Sequence, residues 1–77
     1  MPPTDRPDWV LTRRQAIGEN IRAARRAAGL TQEQVGLATG IERNNVNRIE
    51  QGHASARLDS LLLIADAIGV PLADLVR

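Results

Sequence analysis

Four glycines punctuate the chain at the spacing of short helices. Gly29, Gly40, Gly52 and Gly69 each follow a segment whose apolar residues recur three or four positions apart. That recurrence puts apolar side chains on one face of an α-helix, and a glycine just past the last periodic residue is a common stop. Ile17, Ile21, Ala24 and Ala28 predict helix one over residues 13–28, opened by a capping box of Thr12 with Gln15. A second capping box, Thr31 with Gln34, opens a short helix two in which Val35 and Thr39 lie four apart. Val46 and Ile49 belong to helix three, over residues 42–51. After a loop at 53–57, Leu61, Leu62, Ile64, Ala65 and Ile68 make an apolar helix four. Pro71 opens a final short helix, because its missing N–H is not needed in the first turn. Leu72, Leu75 and Val76 give that helix its apolar side.

This pattern predicts an all-α bundle of five helices, with no strand signal and no internal repeat. Residues 1–11 hold Pro2, Pro3 and Pro7 and read as an irregular N-terminal arm, with residues 12–77 as one domain. Trp9 is the one aromatic side chain. It is expected to pack back on the domain, since an indole left in water is unfavourable; a dimer contact and an arm lying along a groove are the alternatives. The chain has 77 residues, no cysteine and a single histidine, His53, so neither a disulfide nor a structural metal site is expected, and no cofactor. No apolar run is long enough to span a bilayer, and the N-terminus has no signal-peptide core. The expected location is the cytoplasm.

A net charge of +1 conceals an asymmetry. Residues 12–57 carry eight arginines against four glutamates, a balance of +4, while residues 58–77 carry Arg77 against Asp59, Asp66 and Asp74, a balance of −2. A basic middle suits a polyanionic partner.

Helix three concentrates that signal. On a helix turning about 100° per residue, Val46 and Ile49 define the core side. Asn44, Asn47, Arg48 and Gln51 fall opposite, Arg43 flanks them near the N-terminus, and Asn45 falls to the other side. An outward polar face is commonly only solvated. Asn, however, is a poor helix former, because its side chain competes for backbone hydrogen bonds. Asn and Gln match the adenine edge, and Arg the guanine edge. Two short helices around a glycine-containing turn form a helix-turn-helix, whose second helix enters the major groove. The offsets agree: Gly36 allows helices two and three to approach, Gly40 suits a positive-φ turn, and Ile41, Val46 and Ile49 anchor helix three.

The segments "GLTQEQV", "NRIEQG" and "LLLIADAIGVPLADL" resemble the Xre/Cro-type (lambda-repressor-like) helix-turn-helix family, over Ile17 to Val76. The resemblance implies a five-helix lambda-repressor-like bundle that binds double-stranded operator DNA, usually as a dimer. It implies that Arg43, Asn44, Asn47 and Arg48 read bases. Gln32 and the helix-two N-terminus at Thr31 are implied to hold DNA backbone, with weaker nominations for His53, Ser55, Arg14 and Arg22. It also implies that Arg25 and Glu50 form a structural ion pair. Glu42 departs from the family's usual Ser or Thr, and a carboxylate there would repel a nearby phosphate. Leu37 and Ala38 replace residues that are often charged. Arg57 stands beside the loop as a further phosphate candidate.

The expected function is a sequence-specific transcriptional regulator acting on a DNA operator, which a homodimer would make palindromic. The chain leaves no room for a small-molecule effector domain, so dimerisation is expected through the bundle itself, around Leu72, Leu75 and Val76 with the Trp9 arm; the alternative place for these residues is the intramolecular core, which is favoured for Leu72 and Leu75. A protein-binding adaptor, such as an antitoxin or coactivator-type module, is the alternative. An enzyme is not expected: His53, Ser55 and Asp59 lie on one short surface segment with no base–orienter arrangement.

Overall fold

The structure, a computed structural model, describes residues 7–77. They form α1 (Asp8–Ala27), α2 (Gln32–Thr39), α3 (Arg43–Glu50), α4 (Leu58–Ile68) and α5 (Leu72–Val76), with no strand among the described residues. This is the expected all-helical, lambda-repressor-like bundle. α1 packs against α3 and α5, α2 against α3 and α4, and α4 against α5. Ile21, Val35, Val46, Ile49, Ile64, Ala65, Ile68 and Leu75 form one buried cluster, so every helix contributes to the same core.

α1 begins earlier than expected. Residues 8–11 are helical, not an irregular arm, and the part of that arm at residues 1–6 lies outside the described residues. Pro7 occupies the N-cap position, its carbonyl accepts from Val10 and Leu11 N–H, and Asp8 puts a negative charge in the first turn, where it favours the helix dipole. Thr12 is therefore inside the helix and opens no capping box. The box at Thr31 is present: Thr31 Oγ1 accepts from Gln34 N at 3.0 Å, and Thr31 N donates to Gln34 Oε1 at 2.8 Å.

Two glycines set how closely the helices approach. A Cβ on Gly18 would collide with the backbone carbonyls of Ile49 and Glu50, so α1 crosses α3 there without an intervening side chain. A Cβ on Gly36 would lie 2.7 Å from the Ile41 carbonyl oxygen, at the turn between α2 and α3.

Trp9 and Leu62 stand elsewhere than expected, and Leu75 takes the core place favoured for it over a dimer contact. Trp9 does not pack into the bundle; it is 69% exposed, at the rim of an apolar groove that Ile17, Ile49, Ala54 and Leu61 also line. Leu75 has no exposed surface and belongs to the core, which removes it from any dimer contact. Leu62 is 47% exposed, because four consecutive apolar residues, Leu61 to Ile64, cannot all face one side of α4.

Candidate nucleic-acid interface

The interface is built on α2 and α3. The capping box fixes the start of α2 and brings Gln32 to its first helical position. At the other end, Thr39 Oγ1 donates to the Val35 carbonyl at 2.8 Å and accepts from Ile41 N at 3.2 Å, and Gly40 turns the chain at φ 78°. Ile41 then packs on the core, and Glu42 takes the N-cap of α3 with an exposed side chain that makes no capping hydrogen bond. Val46, Ile49 and Glu50 are buried along one side of α3. Arg43, Asn44 and Arg48 are thereby left exposed, and Asn47 half-buried.

The nominated residues separate into two open polar clefts. One holds Arg43 and Asn47 with Thr31, Gln32 and Arg22. The other holds Asn44 and Arg48 with Ser55 of the loop after α3. Arginines line both, so an anion lying along α3 meets positive charge on either side. Each cleft also holds one carboxylate, Glu33 in the first and Glu42 in the second, and other polar residues not nominated as sites from the sequence. Arg26 joins the first cleft, one turn from Arg22 on α1, while Asn45 and Ser60 join the second, where Arg57 also lies. Asn45 fell off the reading face of an isolated α3 and is recruited by the loop packed beside it.

Two nominees lie in neither cleft. Arg14 donates Nε to the Gly52 carbonyl at 2.9 Å, which ties α1 to the turn that follows α3. His53 lines a shallow hollow with Gln15, Glu19 and Gln51.

Behind α3 the charges are arranged around one buried carboxylate. Arg25 Nε donates to Glu50 Oε2 at 2.7 Å and Arg25 Nη2 to Glu50 Oε1 at 3.0 Å, a bidentate pair with both residues buried. The remaining Arg25 nitrogen donates to the Leu30 carbonyl at 2.8 Å. Arg22 Nε lies 3.6 Å from Glu50 Oε1. Gln32 Nε2 donates to both Glu50 Oε1, at 3.1 Å, and Asn47 Oδ1, at 2.9 Å. Burial pushes the Glu50 carboxyl up, but hydrogen bonds from Arg25 and Gln32 and the charges of Arg25 and Arg22 outweigh it. The group is held below its ordinary range. The hydrogen bond to Glu50 in turn raises Arg25 above its ordinary value, against the opposing effect of burial.

A glycine-turned pair of helices with the second presenting Asn and Arg between basic clefts defines a helix-turn-helix protein. A family model described as helix-turn-helix matches residues 21–75, and the chain belongs to that family. It is 33% identical over 63 residues to an uncharacterized HTH-type transcriptional regulator, y4dJ, of Sinorhizobium fredii, covering 82% of each chain. It is also 33% identical over 60 residues to the antitoxin PezA of Streptococcus pneumoniae; the match takes in 78% of this chain but only 38% of that protein. Among solved structures, the restriction-modification controller protein C.AhdI from Aeromonas hydrophila superposes with a TM-score of 0.77 at 30% identity, over 79% of this chain and 92% of that one.

Proposed function

We propose that this chain is a transcriptional regulator that binds double-stranded DNA sequence-specifically, with α3 in the major groove. The observation that carries this reading is the outer face of α3, where Arg43 and Asn47 line one arginine-bearing cleft and Asn44 and Arg48 line the other. Arginine-bearing clefts suit the phosphates that flank a helix seated in a groove, and the Asn and Arg side chains of α3 match base edges. Its similarity to a transcriptional regulator and to a controller protein supports the same reading. In this role Arg22, Thr31 and Ser55 hold backbone, and no chemistry on the DNA is involved. No described helix is long and apolar enough to cross a membrane, which suits a protein working in the cytoplasm.

The protein binds its operator as a homodimer in this proposal. With Leu75 inside the core, α4 offers a continuous exposed apolar surface for a second copy, Leu58, Leu62 and Leu63, while Trp9 on α1 and Leu37 on α2 stand exposed apart from it. A two-fold pair would present two α3 helices about 34 Å apart to a palindromic site.

Selection of bound duplexes from a random pool tests the function. The expected result is an enriched palindrome, with Arg48→Ala or Asn44→Ala costing about 1–3 kcal/mol and relaxing preference at particular base pairs. A pool that stays random would sink the proposal. The adaptor reading gains one observation, the similarity to an antitoxin. It requires a co-purifying partner whose binding is lost when Asn44 and Asn47 are replaced by Ala while DNA binding persists.

A further inference from the structure

The groove beside Trp9 differs in kind from the two clefts along α3. It lies between the first turns of α1 and the loop after α3, with a volume of about 280 Å3. Val10, Ile17, Ala54, Ala56 and Leu61 give it an apolar lining, and the exposed Trp9 indole stands at its rim. All five lining residues are half-buried, so the bundle covers one side of each and leaves the other unpacked.

The charge around the groove is one-sided. Arg13 and Arg14 line it and no carboxylate does, whereas the clefts along α3 hold Glu33 and Glu42. Asp8 and Asp59, the acids near it in sequence, are not part of the lining. Neither arginine forms an ion pair among the described residues. Arg13 Nη2 donates to the Val76 carbonyl at 2.7 Å, and Arg14 Nε to the Gly52 carbonyl at 2.9 Å. Each of these bonds steadies a guanidinium and engages a single nitrogen, while the group carries five N–H donors. Two positive charges with donors to spare thus stand beside an apolar wall.

We infer that this groove is a binding site for a small apolar carboxylic acid. Its body lies on Ile17 and Leu61 beneath the Trp9 indole, and its carboxylate meets Arg13 and Arg14. An apolar lining with a few convergent polar groups is the usual make-up of a small-molecule site. An inorganic anion would leave the wall wet, and a neutral hydrocarbon would leave the arginines unanswered. An acid with an apolar body meets both demands. A dry cavity of about 150 Å3 holds one benzene ring, so the groove takes a ring with a short chain. Ile49, Ser55 and Ala56 line both the groove and the second cleft along α3. An occupant therefore touches the loop proposed to hold DNA backbone, although the site itself does not depend on that role.

Trp9 is the one aromatic side chain, so its fluorescence reports occupancy in the intact protein. Titration with phenylbutyrate is expected to move the emission saturably to shorter wavelength. The expected Kd is about 1 mM or tighter, a range open to a ligand of about twelve non-hydrogen atoms. Phenylbutyramide, of the same shape but uncharged, should bind about fivefold more weakly, the upper range for an exposed ion pair. In the double variant Arg13→Gln, Arg14→Gln the acid and the amide should bind alike, a ratio that small changes in the fold do not mimic. Ala56→Leu, which fills the groove from the loop side, should abolish the response to both ligands. If that variant does not fold, the comparison of acid with amide still decides. Absence of a saturable shift, equal binding of acid and amide by the wild type, or a response that survives Ala56→Leu overturns the inference. So does an emission already at short wavelength and unmoved by phenylbutyrate, which means that the chain itself covers the groove. A blue shift that grows with protein concentration alone is equally fatal, because a second copy then covers it.

Discussion

Glu50 shows how much one side chain can be asked to do. It lies on the inward flank of α3, closes a bidentate pair with Arg25, and accepts from Gln32. Glu50→Ala strands a buried guanidinium and is expected to lower stability by about 3–5 kcal/mol, read as a drop in melting temperature. An unchanged melting temperature would refute the bracing role. The pair also carries a pH signature. The Glu50 carboxyl is lower in the folded protein than in the unfolded chain, so its stabilisation is complete above the unfolded value, about 4.3. It is lost as the pH falls through the still lower folded value. Wild-type melting temperature should fall with acidification in that window, and Glu50→Gln should lack this component while being less stable at neutral pH. The pairing with Arg25 was legible from the family resemblance, and the helical wheel agreed with it. The partnership with Gln32 was not, because it joins α2 to two positions on α3 and needs their separation in space. Trp9 misled for a related reason: apolar character says that a residue prefers burial, not that the fold supplies a place.

At the scale of the element, the first four helices were legible because each repeats its apolar positions and is followed by a glycine, and α5 because Pro71 opens it ahead of an apolar side. The start of α1 was not. Three prolines and an apparent capping box at Thr12 argued for an arm, whereas Pro7 is itself the cap and Val10 and Leu11 are half-buried within the helix. Gly18 also passed unnoticed, since a glycine inside a helical pattern has no sequence partner to explain it. Its reason is the α3 backbone, which leaves no space for a Cβ. Two effects compete in Gly18→Ala. Helix propensity favours alanine by about 1 kcal/mol. The clash involves backbone carbonyls that no rotamer change can relieve, and overpacking of this kind costs about 1–3 kcal/mol. The clash is expected to win, with a lower urea midpoint; a midpoint equal to or above wild type would show that α1 and α3 separate freely.

Across the whole molecule, the charge asymmetry read from the chain becomes spatial. Arg22, Arg26 and Arg43 lie in one cleft, Arg48 and Arg57 in the other, and the exposed acids Asp59 and Asp66 lie on α4. Apart from Ser60 at its start, α4 is thus unsuited to DNA, and its exposed leucines suit a second copy. Leu62→Asp is expected to convert a dimer to a monomer in sedimentation equilibrium and to weaken binding to a palindrome far more than to a half-site. Sedimentation identical to wild type would move the dimer contact elsewhere. Which leucines face outward could not be read from an uninterrupted apolar run, since such a run has no periodic face.

The link from Glu50 through Gln32 to Asn47 has a consequence for how such a protein could acquire a new target. Arg43, Asn44 and Arg48 stand exposed on α3, so a lineage can exchange them one at a time and explore neighbouring operators with the scaffold undisturbed. Asn47 shares that surface in the proposed function but is wired to the core through Gln32. A change there leaves Gln32 with an unmatched donor, so the two positions are expected to drift as a couple. Retargeting would then run freely at three letters of the operator and in paired steps at the fourth.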